Sequence, residues 1–176
     1  YLVSPLKNVM LWHLELRSDC DQNVTIYPYV ELGMMEFMRE LQWQCYNKHQ
    51  LSVYEKDGVL IYRYGVENQP KPDETPLVYF ASDAPAAGFD CDRDAFIGSY
   101  RSEEAPVGLE HEHLKNSTLF GGDPCFALEL PLTLRAGETK SVNIYLGTEM
   151  TEDEIFRSLA ACKAPDFFTA SMQKLA

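Results

Sequence analysis

Residues 125–147 read CFALELPLTL, then RAGETK, then SVNIYLG. Apolar side chains recur there at every second position, and the two runs are joined by a short segment containing Gly137. A period of two is the signature of a strand with one face buried, and a glycine between two such runs marks a hairpin turn. The pattern returns along the chain. In NVMLWHLELR, Met10, Trp12, Leu14 and Leu16 alternate with His13, Glu15 and Arg17. VTIYPYVEL is rich in β-branched and aromatic residues, and LSVYEKDGVLIYRY reads as two strands around a Lys-Asp-Gly turn at Gly58. ENQPKPDETP is a breaker-rich loop ahead of one more strand, LVYFAS. The first 147 residues therefore predict a mainly β fold built from antiparallel strands.

After Gly147 the pattern changes. TEDEIF is a capping box, with Thr151 as N-cap and Glu154 three residues on, and acidic residues sit at the positive end of the helix dipole. Ile155, Leu159 and Cys162 follow at helical spacing, and a second helical segment begins after Pro165. The expected division is a β-sandwich domain over 1–148 and a helical segment over 149–176. The chain does not start with Met and its helices stop abruptly, which reads as a piece of something larger. GMMEFMRELQWQCYNKH, between two strands, fits a helical stripe or a strand crossing between sheets.

Charge narrows the partners. With 15 basic against 27 acidic residues the net charge is −12, which argues against non-specific binding to nucleic acid and against an anionic membrane surface. No apolar run approaches the ~20 residues of a membrane helix, so neutral partners such as sugars or proteins remain. The five widely spaced cysteines include no CxxC and read as mostly buried free thiols in a reducing cytoplasm.

The most unusual stretch is FDCDRDAFIGSYRSEEAP, residues 89–106. Asp90, Asp92 and Asp94 alternate as in the first half of a calcium loop, but the sixth and twelfth positions hold Ala95 and Arg101 where such a loop needs Gly and Glu. Calcium is rejected on that ground. EHEH, residues 110–113, places His111 and His113 on one side of an edge strand, yet a structural zinc site needs further ligands that are not in evidence. No metal site is expected. The chain lacks a GxSxG elbow and any Gly-rich phosphate loop, so catalysis wholly within it has no positive support.

Several stretches together resemble one family. FDCDRDAFIGSYRSEEAPVGLE and LKNSTLFGGDPCFALELPLTLRAGETKSVNIYLG are similar to the N-terminal β-sandwich of the inverting glycoside phosphorylases of glycoside hydrolase family 94. That family includes cellobiose, cellodextrin and chitobiose phosphorylases and the phosphorylase-like part of cyclic glucan synthases. Asp92 to Gly98 and Gly122 to Leu128 are the most specific matches, and the resemblance runs from about residue 5 to the helical tail. It implies an antiparallel β-supersandwich, then a helical linker, then an (α/α)6 barrel that these residues do not include. It further implies a cytoplasmic homodimer whose barrel supplies the general acid, with no cofactor and with inorganic phosphate as co-substrate. A β-linked oligosaccharide would be cleaved to a sugar 1-phosphate, and the sandwich would serve as scaffold, dimer interface and wall of the substrate entrance.

Under that resemblance Asp92, Arg93, Asp94 and Phe96 shape the loop, with Phe96 and Ile97 anchoring it in the sheet. Tyr100 and Arg101 then project toward sugar or phosphate, since aromatic faces suit pyranose C–H surfaces and the guanidinium fork suits hydroxyl or phosphate oxygens. The competing expectation is that Asp92, Arg93, Asp94 and Arg101 form a charge network that merely pins the loop. A stand-alone carbohydrate-binding module is the alternative function, and a protein-interaction sandwich a third.

Overall fold

A computed structural model describes residues 1–33, 48–65 and 75–175. Most of the Met-rich segment (34–47, with Cys45) and residues 66–74 of the Pro-rich loop lie outside the described residues. The remainder folds into two antiparallel sheets stacked face to face. The larger has the order β1-β2-β11-β7-β6-β5-β9, made of β1 (Leu2–Val3), β2 (Val9–Arg17), β11 (Thr139–Glu149), β7 (Leu77–Ser82), β6 (Val59–Tyr64), β5 (Leu51–Lys56) and β9 (Leu119–Phe120). The smaller is organised by β10 (Pro124–Leu134). On one edge β10 pairs with β3 (Gln22–Ile26) and β4 (Tyr29–Glu31) in succession, and on the other with β8 (Gly88–Asp92).

VTIYPYVEL is two strands rather than one. Proline has no N–H to give to the ladder, so the run breaks at Pro28, whose carbonyl accepts from Leu128 N–H at 3.2 Å. At the Lys-Asp-Gly turn, Asp57 (φ 51°) and Gly58 (φ 78°) are both left-handed, the pair of dihedrals that a two-residue hairpin requires.

Alternation along β10 distributes its side chains between two cores. Phe126, Leu128, Leu130 and Leu132 face inward and meet Leu60, Tyr62, Val78, Phe80, Val142 and Ile144 of the large sheet. Cys125 and Ala127 face outward, into a separate cluster with Phe96, Ile97 and Leu114. In β7 every residue is buried, because the large sheet is covered on both faces. Leu77, Tyr79 and Ala81 point away from the sandwich and pack, with Val9 and Leu11, under two helices, α2 (Glu152–Cys162) and α3 (Phe167–Leu175).

Those helices lie on the sheet, not beside it. The Thr151–Glu154 capping box closes in both directions and starts α2. Glu152 then ties its first turn to β5, accepting from Tyr54 Oη at 2.6 Å and Lys56 Nζ at 2.5 Å. Ile155, Leu159, Cys162 and Phe167 bury the apolar stripe against the sheet. Ser171 of α3 is hydrogen-bonded to Ser4 within the core at 3.0 Å, and Phe168 stacks on His13 at 4.4 Å. Among the described residues, no helix is long and apolar enough to cross a membrane.

Candidate functional site

The outward face of the small sheet carries a module built from residues 88–117. Strand β8 brings Asp90 into the interior, where its carboxylate accepts from the backbone N–H groups of Ser117 (3.0 Å) and Lys115 (3.5 Å). Asp92, two residues on, ends the strand and caps the short helix α1 (Arg93–Phe96) by accepting from Asp94 N–H at 2.9 Å. The alternating aspartates are thus used as backbone acceptors, one buried and one at a helix start. Phe96 and Ile97 then turn into the sheet and are almost fully buried, with Phe96 stacked on Tyr29 at 5.1 Å.

Beyond Ile97 the chain leaves the surface as an arch and returns at Val107, whose N–H donates to the Ile97 carbonyl at 3.0 Å. Gly98 (φ 95°) makes the exit, with Val107 packed over it. On the arch, Tyr100 is fully exposed and held at φ 62°, a left-handed conformation that bulky residues seldom adopt. Arg101 beside it forms an ion pair with Glu110, which holds that carboxyl below the usual carboxylate range.

The four charges do not form one network. Arg93 reaches back to Glu31 of β4 at 2.9 Å, Arg101 pairs with Glu110, and Asp92 serves α1. Oppositely charged neighbours in sequence point in different directions on a strand-to-helix turn, so the two arginines pair with carboxylates outside the stretch while Asp92 turns to the backbone of α1. EHEH also needs correcting. Val107–Glu110 is a 3-10 turn and residues 111–113 are bends, so no edge strand exists there. Among the described residues no cluster of His, Cys, Asp and Glu could hold a metal ion.

His113 has a different role. Its Nδ1 lies 2.8 Å from Oε1 of Glu129, a buried carboxylate on the outward side of β10 whose Oε2 accepts from Leu114 N–H at 2.9 Å. Gly88 is the neighbour that permits this, since a Cβ there would stand 2.8 Å from Glu129 Oε2. Glu129 tethers the returning segment to the sheet. No single-residue motif marks it; the signal is an acidic residue at an apolar-flanked strand position, Leu128-Glu129-Leu130.

The Glu129 carboxylate raises the His113 pKa above the ordinary 6.5. A raised folded-state pKa gives stability that is complete below the unfolded value and lost as pH rises through the folded value. His113→Gln should therefore lower Tm at pH 5.5 and have little effect at pH 9. Thermal unfolding at both pH values measures this; an equal loss at both would mean the pair is uncharged. Because the imidazole side is 65% exposed, salt should weaken the effect.

The described cysteines, Cys20, Cys91, Cys125 and Cys162, are free thiols. Burial pushes the Cys91 thiol up to about 12 and Cys162 to about 11, and raises Cys125 as well. Thiolate is the nucleophilic form, so these three are packing residues.

A family model described as the glycosyl hydrolase 94 supersandwich domain matches residues 1–165. An N,N'-diacetylchitobiose phosphorylase of Vibrio furnissii is 27% identical over 159 residues, covering 86% of this chain and 19% of the relative. The cyclic beta-(1,2)-glucan synthase NdvB of Rhizobium meliloti (strain 1021) is 32% identical over 93 residues, or 52% of this chain and 3% of the relative. A 3-O-beta-D-glucopyranosyl-beta-D-glucuronide phosphorylase of Paenibacillus borealis is 28% identical over 95 residues, or 54% of this chain and 12% of the relative. The chain spans no more than 19% of the length of any of these three.

Proposed function

Because this chain belongs to the glycosyl hydrolase 94 supersandwich family, we propose that it is the N-terminal domain of an inverting β-glycoside phosphorylase. The whole protein would use inorganic phosphate to cleave a β-linked oligosaccharide and release an α-sugar 1-phosphate. The observation that carries this reading is the family match over residues 1–165, nearly the full chain. Its direction, phosphorolysis, is supported by the relatives, two of which are named as phosphorylases, one of them for a 3-O-beta-D-glucopyranosyl-beta-D-glucuronide. Phosphate as the nucleophile requires no protein nucleophile, which agrees with cysteines whose burial disfavours the thiolate.

In this reading residues 1–148 form the sandwich and 149–176 lead to a catalytic (α/α)6 barrel, within a cytoplasmic homodimer. The arch from Gly98 to Val107 forms part of the wall of the substrate entrance. Its base is fixed by Ile97 and Val107 while Tyr100 stands in solvent, so an aromatic face is displayed at little cost in side-chain freedom. The Arg101 fork now holds the Glu110 carboxylate, and phosphate or a sugar hydroxyl would take that place.

An exposed ion pair contributes about 0–1 kcal/mol, so Arg101→Ala should leave the fold intact. In the whole protein it is expected to raise KM for phosphate or sugar about ten-fold, the effect of losing ~1.4 kcal/mol of binding. Steady-state release of sugar 1-phosphate measures this. Unchanged kinetics in both variants, Arg101→Ala and Tyr100→Ala, would remove the arch from the substrate path.

A further inference from the structure

A second concavity lies away from the arch, where the two sheets open to solvent between the β5–β6 hairpin and β8. It has a volume of about 400 Å³, within the range of roughly 300–1,000 Å³ typical of small-molecule sites. Its floor is the end of the inter-sheet core: Leu60 from the large sheet, Leu128 from the small one, and the half-buried ring of Phe89. Its rim is polar on two sides. On one, Glu55 accepts from Gly58 N–H at 2.6 Å through Oε1, which leaves Oε2 as an acceptor. On the other, Asn116 is held at φ 54° and accepts from Phe89 N–H at 3.0 Å through its carboxamide oxygen, so its NH2 is the group it has for a ligand. Ala86 and Ala87 complete the wall with small, exposed side chains that leave room above the floor.

We propose that this cleft is a carbohydrate subsite that holds one neutral pyranose of a β-linked oligosaccharide, separate from the Tyr100–Arg101 arch. An apolar floor with an aromatic ring accepts the C–H face of a sugar, while an amide donor and a carboxylate acceptor on opposite rims match hydroxyls at the ring's edge. Glu55 and the net charge of −12 disfavour a uronate or a phosphosugar there. The choice of a β-linked sugar rests on the phosphorylase reading; the neutral-pyranose chemistry does not.

The test uses the whole protein with [13C]methyl-alanine labelling, titrated without phosphate with cellotetraose, chitotetraose and a glucuronic-acid disaccharide. Ala86 and Ala87 methyl resonances should shift with one of the neutral oligosaccharides and stay unmoved by the glucuronide. Ala86→Trp, which fills the cleft from an exposed position, should weaken that binding at least ten-fold. Asn116→Gly, which keeps the left-handed backbone, should weaken it several-fold. Methyl shifts absent with every neutral sugar, or binding indifferent to Ala86→Trp, would overturn the subsite. If no sugar is phosphorolysed yet the methyl shifts appear in the unmutated protein and the Ala87 shift vanishes in Ala86→Trp, the subsite stands and the phosphorylase reading fails.

Discussion

Replacing Phe80 with alanine should destabilise the protein by about 3–5 kcal/mol, the range for deleting a buried aromatic ring. Phe80 sits at the centre of β7 with no exposed surface, and its ring joins the two sheets. It stacks parallel on Phe126 of β10 at 5.6 Å and meets Trp12 of β2 edge-on at 5.7 Å. Neighbours can close the space only in part, because β7 is flanked by β11 and β6 and is buried on both faces. Domains of this kind are stable by about 5–15 kcal/mol, so the loss is a large share of the total. Phe80→Leu keeps most of the volume and should cost clearly less. Urea unfolding with an unchanged slope measures both; a Phe80→Ala midpoint near that of the native protein would mean the sheets are not held together here.

The second large effect is expected at Glu129. In Glu129→Ala the Leu114 N–H is left buried without its acceptor and His113 loses its partner, for about 2–3 kcal/mol. The damage should be directional, because Glu129 anchors the segment that returns from the arch to the sheet. Amide exchange should rise across residues 107–117 and remain unchanged in β6 and β7. Glu129→Gln keeps an acceptor for Leu114 and should recover much of the loss. Uniformly faster exchange in Glu129→Ala would instead make this carboxylate part of the global core.

Strands were legible in the sequence wherever one rule decided them. The hairpin turn at Gly58 shows its left-handed pair, and the alternation of β10 divides its side chains between two cores as a period of two requires. The capping box at Thr151 is local chemistry and closes as its spacing predicts. Apart from the break at Pro28, the failures turn on pairing that lies outside the local sequence. Arg93 stands between two aspartates but pairs with Glu31, and EHEH alternates like a strand although, among the described residues, it has no ladder partner. Tertiary pairing supplies those answers, and local pattern does not contain it. The same holds for α2 and α3: their helical spacing was readable, but their seat on the Tyr79 face of the large sheet depends on β7 being apolar on both sides.

The Tyr100–Arg101 arch lies between these cases. Phe96 and Ile97 could be expected to anchor it from their apolarity alone, and both are buried under the small sheet's outer face. The exposure of Tyr100 is expected from the family resemblance and not from local pattern, because an aromatic residue beside an apolar pair reads equally well as core. Its left-handed backbone decides the matter by turning the chain away from the sheet after Gly98.

Phosphorus NMR tests the proposal that the whole protein is a phosphate-dependent β-glycoside phosphorylase. The whole protein is incubated with β-linked glucosyl and N-acetylglucosaminyl disaccharides, with and without inorganic phosphate. The expected result is an α-sugar 1-phosphate resonance from one of the sugars, growing in step with consumed phosphate and absent without it. Cleavage that proceeds equally well without phosphate, or no sugar phosphate from any β-linked substrate, would contradict it.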